Sequence, residues 1–200
     1  MESIKMKILV FNIKGGCAKS SLSYGLLQIM KDFQIITNDK GNGYNLVLPK
    51  EMYYLIPDNE EIPTFSDNDN LIYDFGGYPD KRLKNFILKN KTMPIIIPFQ
   101  PELLSFQNAI STYNELKDLN NDNIIFVIAR AKKNDYDVFK KQMEKLGIKK
   151  GLLEIKESKM FQNMWNKNES IKDIENNSLL KHTYKEVLSQ LNKLKDEVLK

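Results

Sequence analysis

Lys7-Ile8-Leu9-Val10-Phe11-Asn12-Ile13-Lys14-Gly15-Gly16-Cys17-Ala18-Lys19-Ser20-Ser21 is an apolar run, a glycine turn and a helix start in direct succession. The run Lys7 to Asn12 is short and continuous, which predicts a buried strand. Lys14 to Ala18 is the turn. Beyond it, Ser20 to Lys31 carries Leu22, Leu26, Leu27, Ile29 and Met30 at helical spacing. A strand that feeds a helix through such a turn aims several backbone N–H groups at one point. The helix N-terminus adds about half a positive charge there. In loops of this kind the lysine reaches the β- and γ-phosphates, and the hydroxyl beside it holds Mg²⁺. Lys14, Gly15, Gly16, Cys17, Ala18, Lys19, Ser20 and Ser21 are therefore the candidate nucleotide-binding residues, with Ser20 toward the metal.

Outward from this stretch, short apolar runs alternate with helical patterns. Strands are predicted at Phe33 to Thr37, Leu71 to Tyr73 ending at Asp74, Pro94 to Phe99 and Asn123 to Ala129, with a sixth at Leu153 to Ile155. Helices are predicted at Asp80 to Lys89, Leu103 to Leu119 and Tyr136 to Leu146. Ser178 to Leu199 places Leu180, Tyr184, Val187, Leu188, Leu191, Leu194 and Val198 on one helical face. The polar segment Pro57 to Asn70 reads as a loop. The alternation predicts an α/β fold: one domain over 1–200, with a predominantly parallel, twisted sheet flanked by helices.

Composition excludes several alternatives. Hydrophobic residues make up 42% of the 200, too many for a disordered chain. Cys17 is the one cysteine and His182 the one histidine. A disulfide framework, a cysteine zinc site and an iron–sulfur cluster held within one chain are excluded, and a His-rich metal site is disfavoured. No run approaches 18 apolar residues, and Met1 to Lys7 lacks the features of a signal peptide. The expected compartment is the cytoplasm. Net charge is +4, but residues 130–172 hold 12 Lys/Arg against 6 Asp/Glu, a local +6. Lys149, Lys150, Lys156, Lys159, Lys167 and Lys172 are candidates for a DNA-facing surface. Met164 and Trp165 are expected to pack. Cys17, at a helix N-terminus, is expected to have a lowered pKa and to alkylate readily.

The string Lys14 to Ser21 resembles the deviant Walker A motif, Lys-Gly-Gly-x-Gly-Lys-Ser/Thr-Ser/Thr, of the ParA partition ATPases, MinD and their relatives. Ile35-Ile36-Thr37-Asn38-Asp39 is similar to the family's Ile-Asp-x-Asp segment. Leu71 to Gly77 is similar to its Walker B segment, and Ile97-Pro98-Phe99-Gln100-Pro101-Glu102 to its Pro-x-Gln-Pro-Glu string. Phe161 to Ile174 resembles the segment before the last helix. At 200 residues, the length is closest to that of the small, ParF-like plasmid ParA proteins. The resemblance implies a slow ATPase that uses ATP and Mg²⁺. Lys19 would bind phosphate, Ser20 and Asp74 would serve the metal, and Asp39 would act near the attacking water. Gly77 would approach the γ-phosphate, and Lys14 would reach across an ATP-dependent homodimer. It further implies non-specific DNA, a ParB-like centromere-binding partner, and a place on the nucleoid rather than on a membrane.

The departures are specific. Ala18 stands where the family has glycine, at a strain cost of about 1 kcal/mol if the position needs positive φ. Thr37 replaces the first aspartate of the strand-two segment, and Ala129-Arg130 stands in place of Asn-Arg. Two alternatives follow: a MinD-like membrane-associated positioning ATPase, with the C-terminal helix as anchor, or a nucleotide-bound scaffold with little hydrolysis.

Overall fold

In the computed structural model, residues 6–57, 60–63, 65–66, 69–77, 81–119 and 121–200 are described. The strand β1 (Lys7–Asn12) divides its side chains between two cores. Ile8 and Val10 enter one, while Leu9 and Phe11 enter the other. Strands covered on both faces are apolar throughout instead of alternating, which is why the run looked continuous in sequence. β4 (Asn70–Gly76), β5 (Ile95–Phe99) and β6 (Ile124–Ala131) follow the same rule.

With β2 (Phe33–Thr37), β3 (Tyr53–Leu55) and β7 (Gly151–Lys156), these strands form a seven-stranded sheet in the order β3-β2-β4-β1-β5-β6-β7. Every pairing is parallel. α1 (Lys19–Ile29), α6 (Met160–Asn166), α7 (Ile171–Asn176) and α8 (Ser178–Val198) cover one face. α3 (Lys81–Lys89), α4 (Leu103–Lys117) and α5 (Asp135–Lys145) cover the other. The apolar stripe of α8 lies in the first core, with Leu191 and Leu194 fully buried. The stripe is thus engaged in packing, as its length and regularity suggested. Among the described residues, no helix is long and apolar enough to cross a membrane.

The edge strand β3, the short helix α2 (Tyr44–Val47) and a 3-10 turn at Lys50–Met52 lie in a region that shows no periodicity in sequence. α7 begins at a capping box, with the Ser170 hydroxyl on the Asp173 N–H and the Asp173 carboxylate on the Ser170 N–H. Asp80, expected to begin the helix now seen as α3, lies outside the described residues, as do several residues of the 57–70 loop.

Candidate nucleotide-binding site

The carboxyl ends of β2, β4 and β1 lie side by side, and strand register fixes what meets there. Asp74 pairs with Val10 on one side and with Thr37 on the other. Asn12 pairs with Gly76. The chain leaves β1 at Asn12 and turns into α1 at Lys19, so the glycine turn sits over Asp74 at the place where open parallel sheets bind ligands.

The turn is held from below. Asn12, fully buried, donates from Nδ2 to the Pro98 carbonyl at 2.8 Å, while its Oδ1 accepts the Lys14 N–H at 2.9 Å. Gln100 donates from Nε2 to the Gly16 carbonyl at 2.6 Å. Both tethers take the carbonyl and flank positions and leave the inner N–H groups open. Among the described residues, no hydrogen bond is donated by the backbone N–H of Gly15, Gly16, Cys17 or Ala18. A Cβ built on Gly15 or Gly16 meets nothing within 4 Å, and Gly16 has φ +75°. The turn is thus an open cradle of unpaired donors at a helix start, which fits an anionic phosphate chain. Ala18 takes φ 70°, the left-handed conformation in which alanine is strained.

Lys19 Nζ donates to the Lys14 carbonyl at 2.9 Å, and its stem passes Gly76, where a Cβ would come within 3.5 Å of Cε. Among the described residues, no ion pair or hydrogen bond engages the Lys14 ammonium. Cys17 reverses the expectation for its thiol. It is 1% exposed, and burial pushes its pKa up against the pull of Lys19.

Asp74 is 1% exposed. Its Oδ2 accepts from the Tyr44 hydroxyl at 2.8 Å, while Oδ1 is buried with no hydrogen-bond partner. Burial raises its pKa, the Ser20 and Tyr44 hydroxyls and Lys19 pull it down, and Asp39 raises it again. An orphaned carboxylate oxygen close to the Ser20 hydroxyl is a hard-oxygen donor set of the kind Mg²⁺ takes, with phosphate and water completing the shell. Among the described residues, no three His, Cys, Asp or Glu side chains cluster as metal ligands.

Asp39 lies at the exposed rim, where its Oδ1 accepts the Gly41 N–H at 2.8 Å and its own N–H reaches the Thr37 hydroxyl at 3.1 Å. Thr37 therefore closes a turn at the position where a carboxylate was expected from the resemblance. Gly77 follows β4 with φ +87° and open space around it. Asn38 holds Gly76 by both backbone groups, its Nδ2 on the carbonyl at 3.2 Å and its Oδ1 on the N–H at 3.1 Å. Sequence reasoning missed Asn12, Asn38 and Tyr44. A polar residue closing an apolar run was the available signal for Asn12. Nothing local marked Tyr44, because the partners of its hydroxyl, the Ser20 carbonyl at 3.3 Å and Asp74 Oδ2 at 2.8 Å, are 24 and 30 residues away.

Beside the turn lies a cavity of about 690 Å³, bounded by Ala18, Ser21, Ala129, Arg130, Phe161 and Trp165 among others. Arg130 sits at a bulge in the β6–β7 pairing with φ 60°. The volume is within the range of small-ligand pockets and has room for a nucleoside. Trp165 and Met164 do pack: Met164 is fully buried, and Trp165 lies against Tyr24 and Tyr44 at 5.0 and 5.5 Å between ring centroids. The lysines expected to form one basic surface are divided. Lys149 and Lys150 precede β7, at the opposite end of the sheet from the cradle, and Lys150 pairs with Asp122 at 3.0 Å. Lys156 and Lys159 border the cavity, and Lys156 pairs with Glu186 at 2.7 Å.

No family model and no curated protein matches the chain. Solved structures do. An ATP complex of an McdA variant from Cyanothece superposes with a TM-score of 0.68 at 11% identity, over 98% of this chain and 97% of that one. The chain has the fold of the ParA/MinD-type P-loop ATPases. A plasmid partition protein from Borrelia burgdorferi bound to AMPPNP shares this ParA/MinD fold, with TM-score 0.58, 20% identity and coverage of 94% and 99%. MinD from Pyrococcus horikoshii complexed with Mg-ADP gives 0.57 at 13% identity, over 96% and 98%. These three were solved with ATP, AMPPNP and Mg-ADP, respectively.

Proposed function

We propose that the chain is a ParA-type ATPase that segregates DNA, working as an ATP-dependent sandwich dimer on the nucleoid in the cytoplasm. The observation that carries the reading is the open row of N–H groups from Gly15 to Ala18 placed over the unpartnered Asp74 Oδ1. The cradle and Lys19 bind the phosphates. Ser20 and Asp74 hold Mg²⁺, which when bound offsets negative charge on the β- and γ-phosphates. Asp39, at the rim, orients the attacking water. The Lys14 ammonium, unengaged by its own chain's described residues, reaches the phosphates of the second copy, so that dimerisation depends on the nucleotide. Thr37 in place of a carboxylate and strain at Ala18 make hydrolysis slow. A ParB-like partner accelerates it and releases DNA.

DNA contact is supported only by the part of the positive charge over 130–172 that lies at the nucleotide end of β7, Lys156 and Lys159 among it, since Lys149 and Lys150 lie at the other end. It is unspecific and falls steeply with salt. Titration of the protein with ATP and Mg²⁺ in a calorimeter tests the nucleotide half: binding is expected, and none detectable would end the reading. Mobility shifts on unrelated DNA fragments, with and without ATP, test the other half. Absence of ATP-dependent binding at low salt, with nucleotide confirmed bound, would remove the partition role.

A further inference from the structure

We propose that Tyr44 is a positioning residue for the metal-side carboxylate: its hydroxyl fixes Asp74 by Oδ2 so that Oδ1 is the oxygen presented to the nucleotide's cation. The inference rests on the nucleotide reading above and assigns a role in it to a residue outside every motif seen in the sequence.

Three observations converge. First, the Asp74 carboxylate is asymmetric: Oδ2 receives the Tyr44 hydroxyl at 2.8 Å, and Oδ1 has no partner. A buried carboxylate free to rotate would exchange its two oxygens, whereas one anchored by a strong charge-assisted bond does not. Second, the Tyr44 ring is itself immobilised. It is fully buried, lies 5.5 Å from the Trp165 ring and 6.4 Å from the Tyr53 ring, and has its N–H capped by Asn42 Oδ1 at 2.6 Å. Gly43, with φ +75°, brings the backbone against Trp165, where a Cβ would stand 3.5 Å from the indole. A donor locked in this way can impose a direction on its acceptor. Third, Thr37, beside Asp74 in the sheet, spends its hydroxyl on the Asp39 N–H. Asp74 has no neighbouring carboxylate on that strand to share the metal, so its own orientation governs the affinity.

Trp165 also borders the cavity beside the phosphate turn and is the single tryptophan of the chain. Its emission therefore reports on the Tyr44 ring and on occupancy of the cavity without any turnover.

The test compares wild type, Tyr44→Phe and Asp74→Asn by calorimetry with a slowly hydrolysed ATP analogue, in EDTA and in Mg²⁺, with Trp165 emission as an independent readout. Phenylalanine keeps the ring against Trp165 and removes the hydroxyl alone. The expected result is that Tyr44→Phe matches wild type in EDTA and has the same emission without nucleotide. Its gain in affinity on adding Mg²⁺ should be smaller by about tenfold, the effect of losing a hydrogen bond to a charged group. Asp74→Asn should lose the gain altogether. A Tyr44→Phe protein with the full Mg²⁺ gain, or one weakened equally in EDTA and in Mg²⁺, would overturn the role, the latter because it would mark Tyr44 as merely structural. A wild type that binds no adenine nucleotide in either condition overturns the underlying reading and the role with it.

Discussion

Gln100 Nε2 donates to the Gly16 carbonyl oxygen at 2.6 Å, a contact between residues 84 apart in sequence. It ties the residue that follows β5 to the phosphate turn by the Gly16 carbonyl. Gln100 is itself fixed, since its N–H reaches the Ser105 hydroxyl at 2.9 Å. Gln100→Ala should therefore release the turn. Loss of one such bond lowers stability by about 1 kcal/mol. The larger effect is on binding, because a turn that must be ordered by its ligand binds more weakly: about fivefold or more for ATP. Urea denaturation and calorimetry measure the two, and unchanged ATP affinity would refute the tether.

Ala18 makes the opposite prediction. With φ 70° at the start of α1, it holds a left-handed conformation that costs a non-glycine residue about 1–2 kcal/mol. Ala18→Gly removes that strain and gives back some unfolded-state entropy, so a net gain of about 0.5–1 kcal/mol is expected. The midpoint of chemical denaturation should rise. A fall would mean that the methyl group makes a packing contact worth more than the strain.

The sheet was legible from the chain because each inner strand is covered on both faces, so Lys7–Asn12 and Ile95–Phe99 stand out as unbroken apolar runs. The phosphate turn was legible for a different reason. Its function needs glycine backbone, a lysine and a hydroxyl in consecutive places, and Gly15 to Ser20 supplies them locally. β3 and α2 were not legible: an edge strand of three half-exposed residues and a single helical turn leave no period to detect. Tyr44 escaped for the same reason, since its meaning comes from Asp74 in another strand. The thiol of Cys17 was misread because a helix N-terminus is visible in sequence and a side chain's burial is not. Placing the lysines on one surface failed because Lys150 and Lys156 lie at opposite ends of β7, which proximity in sequence conceals.

Cys17 should be unreactive in the folded protein. Its sulfur is buried, its thiol bonds the Lys14 carbonyl at 3.3 Å, and burial disfavours the thiolate that alkylation requires. Reaction with a colorimetric disulfide reagent at pH 8 should be slower than that of the urea-unfolded chain by about tenfold or more. It should continue to accelerate above the ordinary thiol pKa instead of levelling off there. Rapid labelling of the native protein, with a plateau below that pKa, would show that the electrostatic pull of Lys19 and the helix terminus outweighs burial.

Asp74 gives stability a pH dependence whose sign follows from its environment. Burial raises its pKa in the folded protein above the ordinary value of 3.8 that the unfolded chain keeps. Below that value both states carry the neutral acid, and the group imposes no penalty. As pH rises, the unfolded chain ionises first, so the wild type loses stability until pH passes the folded-state pKa, after which the loss is constant. Asp74→Asn cannot ionise, and its side-chain oxygen still accepts the Tyr44 hydroxyl. Without nucleotide it should be more stable than wild type at pH 7, by about 1–3 kcal/mol, the desolvation cost of a buried polar group left without a partner. The advantage should shrink toward zero as pH falls below 3.8. With ATP and Mg²⁺ at saturation the order should invert, because the wild type gains binding energy that the variant lacks. Thermal unfolding across pH, with and without ligand, measures all three. A variant less stable than wild type at neutral pH without nucleotide would show that the Asp74 carboxylate serves the fold and not the site.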